Sequence, residues 1–295
     1  MNDLIEANVR FQMASRSDQH RVWFITGTSQ GFGRELVRAA LQRGDSVAAT
    51  SRQPQAVAAA FPAEKDRLLT TSMDLRDAKQ ISSVVQQAMA RFGHIDVLVN
   101  NAGYGVTGAV EEASETEIAN VYETNVFGLL RVTRAVLPHM RKQRSGHIVN
   151  LSSIGGLTGM PGWGIYNSTK FAVEGLSEAL AAELAPLGIS VIIVEPGPFR
   201  TDFLGGSLAK AANTLQDYES TAGKTRASAA ERNRKQQGDP ALAADAIVQA
   251  VISPKPPLHL ILGKFAYDRM SQKLEDFRRE METWRDLTLG TDFKS

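Results

Sequence analysis

Val22-Trp23-Phe24-Ile25-Thr26 runs directly into Gly27-Thr28-Ser29-Gln30-Gly31-Phe32-Gly33, and the stretch from Phe32 to Gln42 reads as a helix that stops before Gly44. A short apolar run, a turn with three glycines and a helix start make a strand–turn–helix unit. Glycine lets the backbone approach a phosphate, and the first helical turn offers unpaired N–H groups and the positive end of the dipole. The spacing is G-x3-G-x-G rather than G-x-G-x-x-G. Glycines alone collect in any turn. Between this strand and this helix they predict a pyrophosphate site for a dinucleotide, formed by Gly27, Ser29, Gln30, Gly31, Phe32 and Gly33.

Outward from that unit, short apolar runs alternate with amphipathic stretches. Strands are expected at Ser46 to Ser51, Leu68 to Met73, Ile95 to Val99, His147 to Leu151, Ile189 to Val194 and Leu258 to Leu262. Helices are expected over Ala78 to Arg91, near 115 to 142, over 165 to 185, near 241 to 252 and near 265 to 287. The strand candidates lack inside–outside alternation, as burial on both faces requires. Such alternation of strand and helix implies right-handed crossovers and an α/β fold, a Rossmann-type doubly wound parallel sheet flanked by helices. Residues 1–20 read as a polar extension, and 21–295 as one domain. The stretch 200–238, rich in Ala, Ser, Thr, Gly, Lys and Arg, reads as a mobile lid or as a solvated excursion. In the last helix Phe277, Met281 and Trp284 fall at helical spacing and read as a packing stripe.

Composition narrows the function classes. The chain has 295 residues, 43% hydrophobic and 22% charged, enough for a full core. A formal charge of +1 gives no electrostatic reason to expect nucleic acid or a membrane as partner. No apolar run approaches the roughly 20 residues that span a bilayer, and the first 20 residues lack a signal-peptide pattern, so a cytoplasmic protein is expected. With no cysteine, disulfides and thiolate chemistry are excluded. The five histidines show no metal-ligand spacing, and no metal site is expected.

Two further features carry chemistry. The second strand ends Ala48-Ala49-Thr50-Ser51-Arg52, with arginine where an acidic residue would take the adenosine ribose hydroxyls. Asp45 precedes the strand and reads as a turn residue. Arg52 therefore favours NADP over NAD. Tyr166 and Lys170 stand four apart in Tyr-Asn-Ser-Thr-Lys, thirteen residues after Ser153, so phenol and ammonium share a helix face. A free phenol titrates near pH ~10, and a neighbouring ammonium favours its ionised form. Ser153 is placed to hold a substrate oxygen while Tyr166 exchanges a proton with it.

Taken together, these motifs resemble the short-chain dehydrogenase/reductase family in its compact branch, over about residues 21 to 200. The turn 26–33 has that family's TGxxxGxG form, and Asn100-Asn101-Ala102-Gly103 its NNAG motif. The resemblance implies a catalytic set of Asn125, Ser153, Tyr166 and Lys170, in which Lys170 depresses the Tyr166 pKa and Asn125 holds a water. It implies cofactor contacts from Asp74 and Leu75 to adenine, from Asn101, Ala102 and Gly103 along the cleft, from Tyr166 and Lys170, and from Pro196, Gly197 and Thr201 near the nicotinamide. The expected activity is interconversion of an alcohol and a carbonyl on a small-molecule substrate, in a homodimer or homotetramer. A dinucleotide sensor without catalysis would lose part of Ser/Tyr/Lys, whereas this chain keeps all three. A nucleotide-sugar epimerase or dehydratase goes with a different glycine spacing. Met160 and Trp163, and on the lid side Phe199, Phe203 and Leu204, are candidates for the substrate wall, as they are for plain packing.

Overall fold

The computed structural model describes residues 20–293, so the polar extension lies almost wholly outside the described residues. The first half of the chain runs β1 (Val22–Thr26), α1 (Gly31–Gln42), β2 (Ser46–Ser51), α2 (Pro54–Ala60), β3 (Leu68–Ser72), α3 (Ala78–Phe92) and β4 (Val97–Asn100). It continues with β5 (Gly105–Thr107), α4 (Glu115–Tyr122), α5 (Leu129–Gln143) and β6 (Gly146–Leu151). The second half holds α6 (Gly164–Leu184), β7 (Ile189–Pro196), β8 (Leu208–Lys210), α7 (Lys224–Arg232), α8 (Pro240–Ile252), β9 (His259–Leu262) and α9 (Lys264–Thr283). The expected boundaries hold to within a few residues. One strand starts late: Ile95 and Asp96 precede β4, and Asp96 accepts the Val22 N–H at 2.8 Å. The helical stretch near 115–142 is two α-helices joined by a π-type segment, Glu123–Gly128.

Seven strands form one parallel sheet in the order β3-β2-β1-β4-β6-β7-β9. All five residues of β1 are buried, as are all four of β4, because helices cover both faces. One apolar core joins Leu36, Val37 and Leu41 of α1 to Ile247 and Val251 of α8 across Trp23, Ile25 and Val99. The other joins Ile81 and Val85 of α3, Val132 and Val136 of α5 and Leu180 of α6 across Phe24, Leu98 and Ile148. The order in which strands are added reverses between β1 and β4, which opens a crevice at their carboxyl ends, the place where such sheets take ligands.

Residues 200–238 are not a loose excursion. β8 pairs in parallel with β5, Leu208 opposite Gly105. The buried carboxylate of Glu112 accepts the N–H of Ala109 at 2.7 Å and of Leu215 at 2.8 Å, and pairs with Arg226. Glu117 accepts the Ala212 N–H at 2.9 Å, and Thr225 donates to the Pro161 carbonyl at 2.9 Å. The Glu112 bonds, charge-assisted and out of solvent, are the strong ones among these.

The last helix departs from expectation in the opposite sense. Its first turns lie on the body through buried Ala266 and through Arg269, whose Nε donates to Thr158 at 2.9 Å. From Leu274 to Phe293 every residue is exposed, so Phe277, Met281 and Trp284 form no packing stripe among the described residues.

Candidate active site

The crevice is stitched by side chains that follow from the motif residues. Thr26 at the end of β1 accepts the N–H groups of Asn101 and Ala102, each at 3.0 Å. Asn101 in turn donates to the carbonyls of Thr26 at 2.8 Å and Gly27 at 2.9 Å. Glycine is required here. A Cβ on Gly33 would sit 2.3 Å from the Gly27 carbonyl oxygen, and Gly27 itself has φ +71 and would press on Ala102 at 2.8 Å. No side chain caps the N-terminus of α1, whose flanking residue is Gln30. An uncapped helix end beside a glycine cradle fits an anionic pyrophosphate.

A cleft of about 460 Å3 opens beside that helix end and is lined by Ser29, Gln30, Gly31, Arg34, Arg200 and Thr201, among others. Gln30 also donates to Ser207 at 3.1 Å, which ties the glycine turn to the segment 200–238. Phe32 packs on Phe199 with ring centroids 5.2 Å apart, so Phe199 belongs to the packing around α1 rather than to a substrate wall. Arg34 and Arg200 escape the sequence reading. Arg34 keeps its Nε buried and without a hydrogen bond while another guanidinium nitrogen donates to the Ser29 carbonyl. Its place directly after the glycine turn is the signal that could have drawn attention to it.

Asp45 is a structural residue, as its position before β2 suggests: it accepts the Trp23 indole N–H at 2.8 Å and the Arg21 backbone N–H at 3.0 Å. The end of β2 therefore presents no carboxylate, and Arg52 is exposed there. Asp74 lies two residues beyond β3 instead of ending it. Its carboxylate pairs with Arg76 at 2.6 Å, and that bond holds its pKa down at about 2. Leu75 is buried, and its carbonyl accepts a bond from Arg131 at 3.3 Å.

The four expected catalytic residues converge at the carboxyl end of β6. Ser153 caps the single helical turn Ile154–Leu157, its hydroxyl accepting the Gly155 N–H at 3.0 Å. A methyl group placed on Gly155 would lie 3.4 Å from Ser153 Oγ and 3.5 Å from Tyr166 Cε1, so hydroxyl and phenol ring border one small space. Lys170 Nζ donates to the Leu151 carbonyl at 2.6 Å and lies 5.8 Å from the Tyr166 ring centroid. A methyl group on Gly103 would meet Asn125 Oδ1 at 3.0 Å and Lys170 Nζ at 3.8 Å. Asn125 sits in the π-type segment. Its amide donates to the Tyr104 carbonyl at 2.9 Å and to Thr169 at 3.1 Å, and it accepts the Tyr104 N–H at 3.0 Å.

The electrostatics of the chain alone run against one expectation. Burial pushes the Tyr166 phenol up to about 12, with Ser153 pulling the other way, whereas a depressed value was expected. Burial also pulls Lys170 down to about 8, and Glu174 one turn on partly offsets that. The reason is geometric. The ammonium is directed at a backbone carbonyl, and desolvation outweighs a charge seen across a ring.

Above Tyr166 lies an apolar roof. Trp163 and Phe203 have ring centroids each 5.6 Å from that of Tyr166, and Leu208 of β8 comes down on Gly105 beside both. Pro196 closes β7, the Gly197 N–H donates to Leu262 at 2.9 Å, and Thr201 lies against Gly31 at the mouth of the cleft. A buried pair that the sequence reading did not select, Glu174 and Glu195, meets His259 behind Lys170, with Glu195 Oε1 2.7 Å from His259 Nδ1. Among the described residues no helix is long and apolar enough to cross a membrane.

The family model for short chain dehydrogenase matches residues 21–212. The oxidoreductase BOA17 of Botryotinia fuckeliana is 36% identical over 272 residues, 92% of this chain and 99% of that one. The crystal structure of a short-chain dehydrogenase from Streptomyces avermitilis superposes with a TM-score of 0.88 at 43% identity, covering 93% of this chain and 100% of that one. The alcohol dehydrogenase of the archaeon Thermococcus sibiricus, solved in complex with 5-hydroxy-NADP, gives 0.68 at 26% identity, covering 83% and 96%. With the sheet, the glycine cradle and the gathered Ser153, Tyr166 and Lys170 already in place, these matches settle the lineage: the chain belongs to the short-chain dehydrogenase family of oxidoreductases.

Proposed function

We propose that the chain is an NADP(H)-dependent oxidoreductase that interconverts a secondary alcohol, or a similar hydroxyl, and its carbonyl. The observation that carries this reading is the convergence of Tyr166, Ser153, Lys170 and Asn125 across the crevice from the glycine cradle. When bound, the nicotinamide supplies or accepts the hydride. Ser153 holds the substrate oxygen, and Tyr166 gives its proton to that oxygen in reduction and takes it back in oxidation. Lys170 would hold the nicotinamide ribose, while the space shared by Asn125 and Lys170 over Gly103 suits a water that reloads the proton.

Residues 27–33 would cradle the pyrophosphate, Asp74 and Leu75 the adenine, and Asn101, Ala102 and Gly103 the length of the crevice. Pro196, Gly197 and Thr201 would lie against the nicotinamide. The arginine at the end of β2, the structural engagement of Asp45 and the unpaired Arg34 Nε in the cleft support the phosphorylated cofactor. The roof of Trp163, Phe203 and Leu208 supports a small-molecule substrate with an apolar flank beside its carbonyl.

A panel of ketones and aldehydes with NADPH depletion as readout tests the reading. Turnover of an apolar carbonyl, faster with NADPH than with NADH, is expected; no turnover of any member with either cofactor sinks it. Replacing Arg52 by Ala is expected to raise the KM for NADPH about tenfold with little change for NADH, the loss of one charge-assisted phosphate contact. Equal effects on both cofactors would remove Arg52 from the site.

A further inference from the structure

The geometry points to the exposed half of α9 as a seam that closes on the same helix of a second copy of this chain, parallel to it. Tyr267, Met270, Leu274, Phe277, Met281 and Trp284 follow one another at alternating steps of three and four. That is the a/d spacing of a heptad, which fits another helix of matching pitch rather than a sheet or a groove. Leu274, Phe277, Met281 and Trp284 are 57%, 57%, 61% and 57% exposed. A helical segment of this length is marginal in water by itself and takes its stability from what its apolar face meets. Among the described residues the body of the chain reaches no further along the helix than Lys273, which donates to the Leu157 carbonyl.

Charge selects the occupant. Residues 264–289 carry six basic and six acidic side chains. A neutral, mixed face lacks the basic excess that holds an amphipathic helix on an anionic lipid surface. The mixture is instead self-complementary. In a parallel pair Glu280 at a g position faces the partner's Arg285, the first residue of the short helix Arg285–Leu289 that follows α9 past Trp284, and the two-fold axis makes that contact twice. The like-charged alternative, Lys273 against the partner's Arg278, is relieved because Lys273 is turned to Leu157 and lies 5.2 Å from the Phe171 ring centroid. With large side chains offering roughly 200 Å2 each when fully exposed, Tyr267, Leu274, Phe277, Met281 and Trp284 present on the order of 600 Å2, the larger part of the ~800 Å2 per partner of a stable complex.

Because the chain has no cysteine, a single introduced thiol reports on the seam directly. In the full-length protein, Met281→Cys is expected to form an intermolecular disulfide under mild oxidation at low micromolar concentration, at least tenfold faster than Glu275→Cys on the outer face. Phe277→Glu is expected to halve the mass measured by sedimentation. Equal rates for the two thiols, or an unchanged mass for Phe277→Glu, overturn the proposal. So does loss of vesicle co-sedimentation in Phe277→Glu at unchanged mass, which would assign the stripe to lipid. None of these readouts depends on turnover, so they stand or fall apart from the catalytic reading.

Discussion

Helices α6 and α9 are nearly equal in length, twenty-one and twenty residues, and meet opposite surroundings. Along α6 the inward face buries Tyr166, Lys170, Val173, Glu174, Ser177 and Leu180, polar groups among them. Along α9 only Ala266 is buried, while a row of large apolar side chains faces outward. Periodicity identifies a face on both. It does not say what that face meets, and the two helices show that the same regular spacing can line an active site or wait for another molecule.

Substitutions on the two helices test that contrast. Tyr166→Phe removes the proposed proton donor with little change in shape, and turnover is expected to fall about 1000-fold, within the range for general acid–base catalysis, with cofactor binding kept by fluorescence titration. Activity above a tenth of the parent would take Tyr166 out of the chemistry. Leu180→Ala, under the sheet, is expected to cost about 2–4 kcal/mol in denaturant unfolding; a loss below 1 kcal/mol would mean that α6 is not held by its core face.

A third change concerns pH. Burial lifts the carboxyls of Glu174 to about 7 and Glu195 to about 8. The folded chain therefore keeps protons that the unfolded chain has given up above about 4.5, so their contribution to stability falls as pH rises from there to about 8. Glu174→Gln is expected to flatten the fall between those limits, and an unchanged slope would show that the pair does not titrate as a buried unit. The smallest effect belongs to α9. Asp276, 57% exposed and paired with Arg279 at 2.9 Å, is expected to change stability by less than about 0.5 kcal/mol when replaced by Ala. A larger loss would mean that this surface is covered.

Legibility follows the same line. From β1 to Thr201 the function depends on local chemistry: a turn needs glycine, and a phenol and an ammonium need one helix face. Spacing records such demands, so Gly27, Gly33, Ser153, Tyr166 and Lys170 stand out in the sequence and come together in the fold. The pairing of β5 with β8 joins Gly105 to Leu208 through only three residues on each side, too short for any periodic signal. Glu112 carries no signal in the sequence, yet it is buried because its partners arrive from the distant segment 200–238. The Tyr166 pKa was misjudged for a related reason. Sequence shows the neighbouring charge but not the depth of burial that outweighs it.

The Glu112 carboxylate has a consequence for motion. Its bond to the Leu215 N–H and its pairing with Arg226 fasten two separated points of the segment 200–238, while the Ala211 N–H is held by the Thr107 carbonyl at 2.8 Å. Segments tied through one buried anchor open as a single cooperative unit. The amide protons of Ala211 and Leu215 are therefore expected to exchange with solvent at one shared rate, slower than a surface loop and faster than the β4 core, and Glu112→Gln should speed both together.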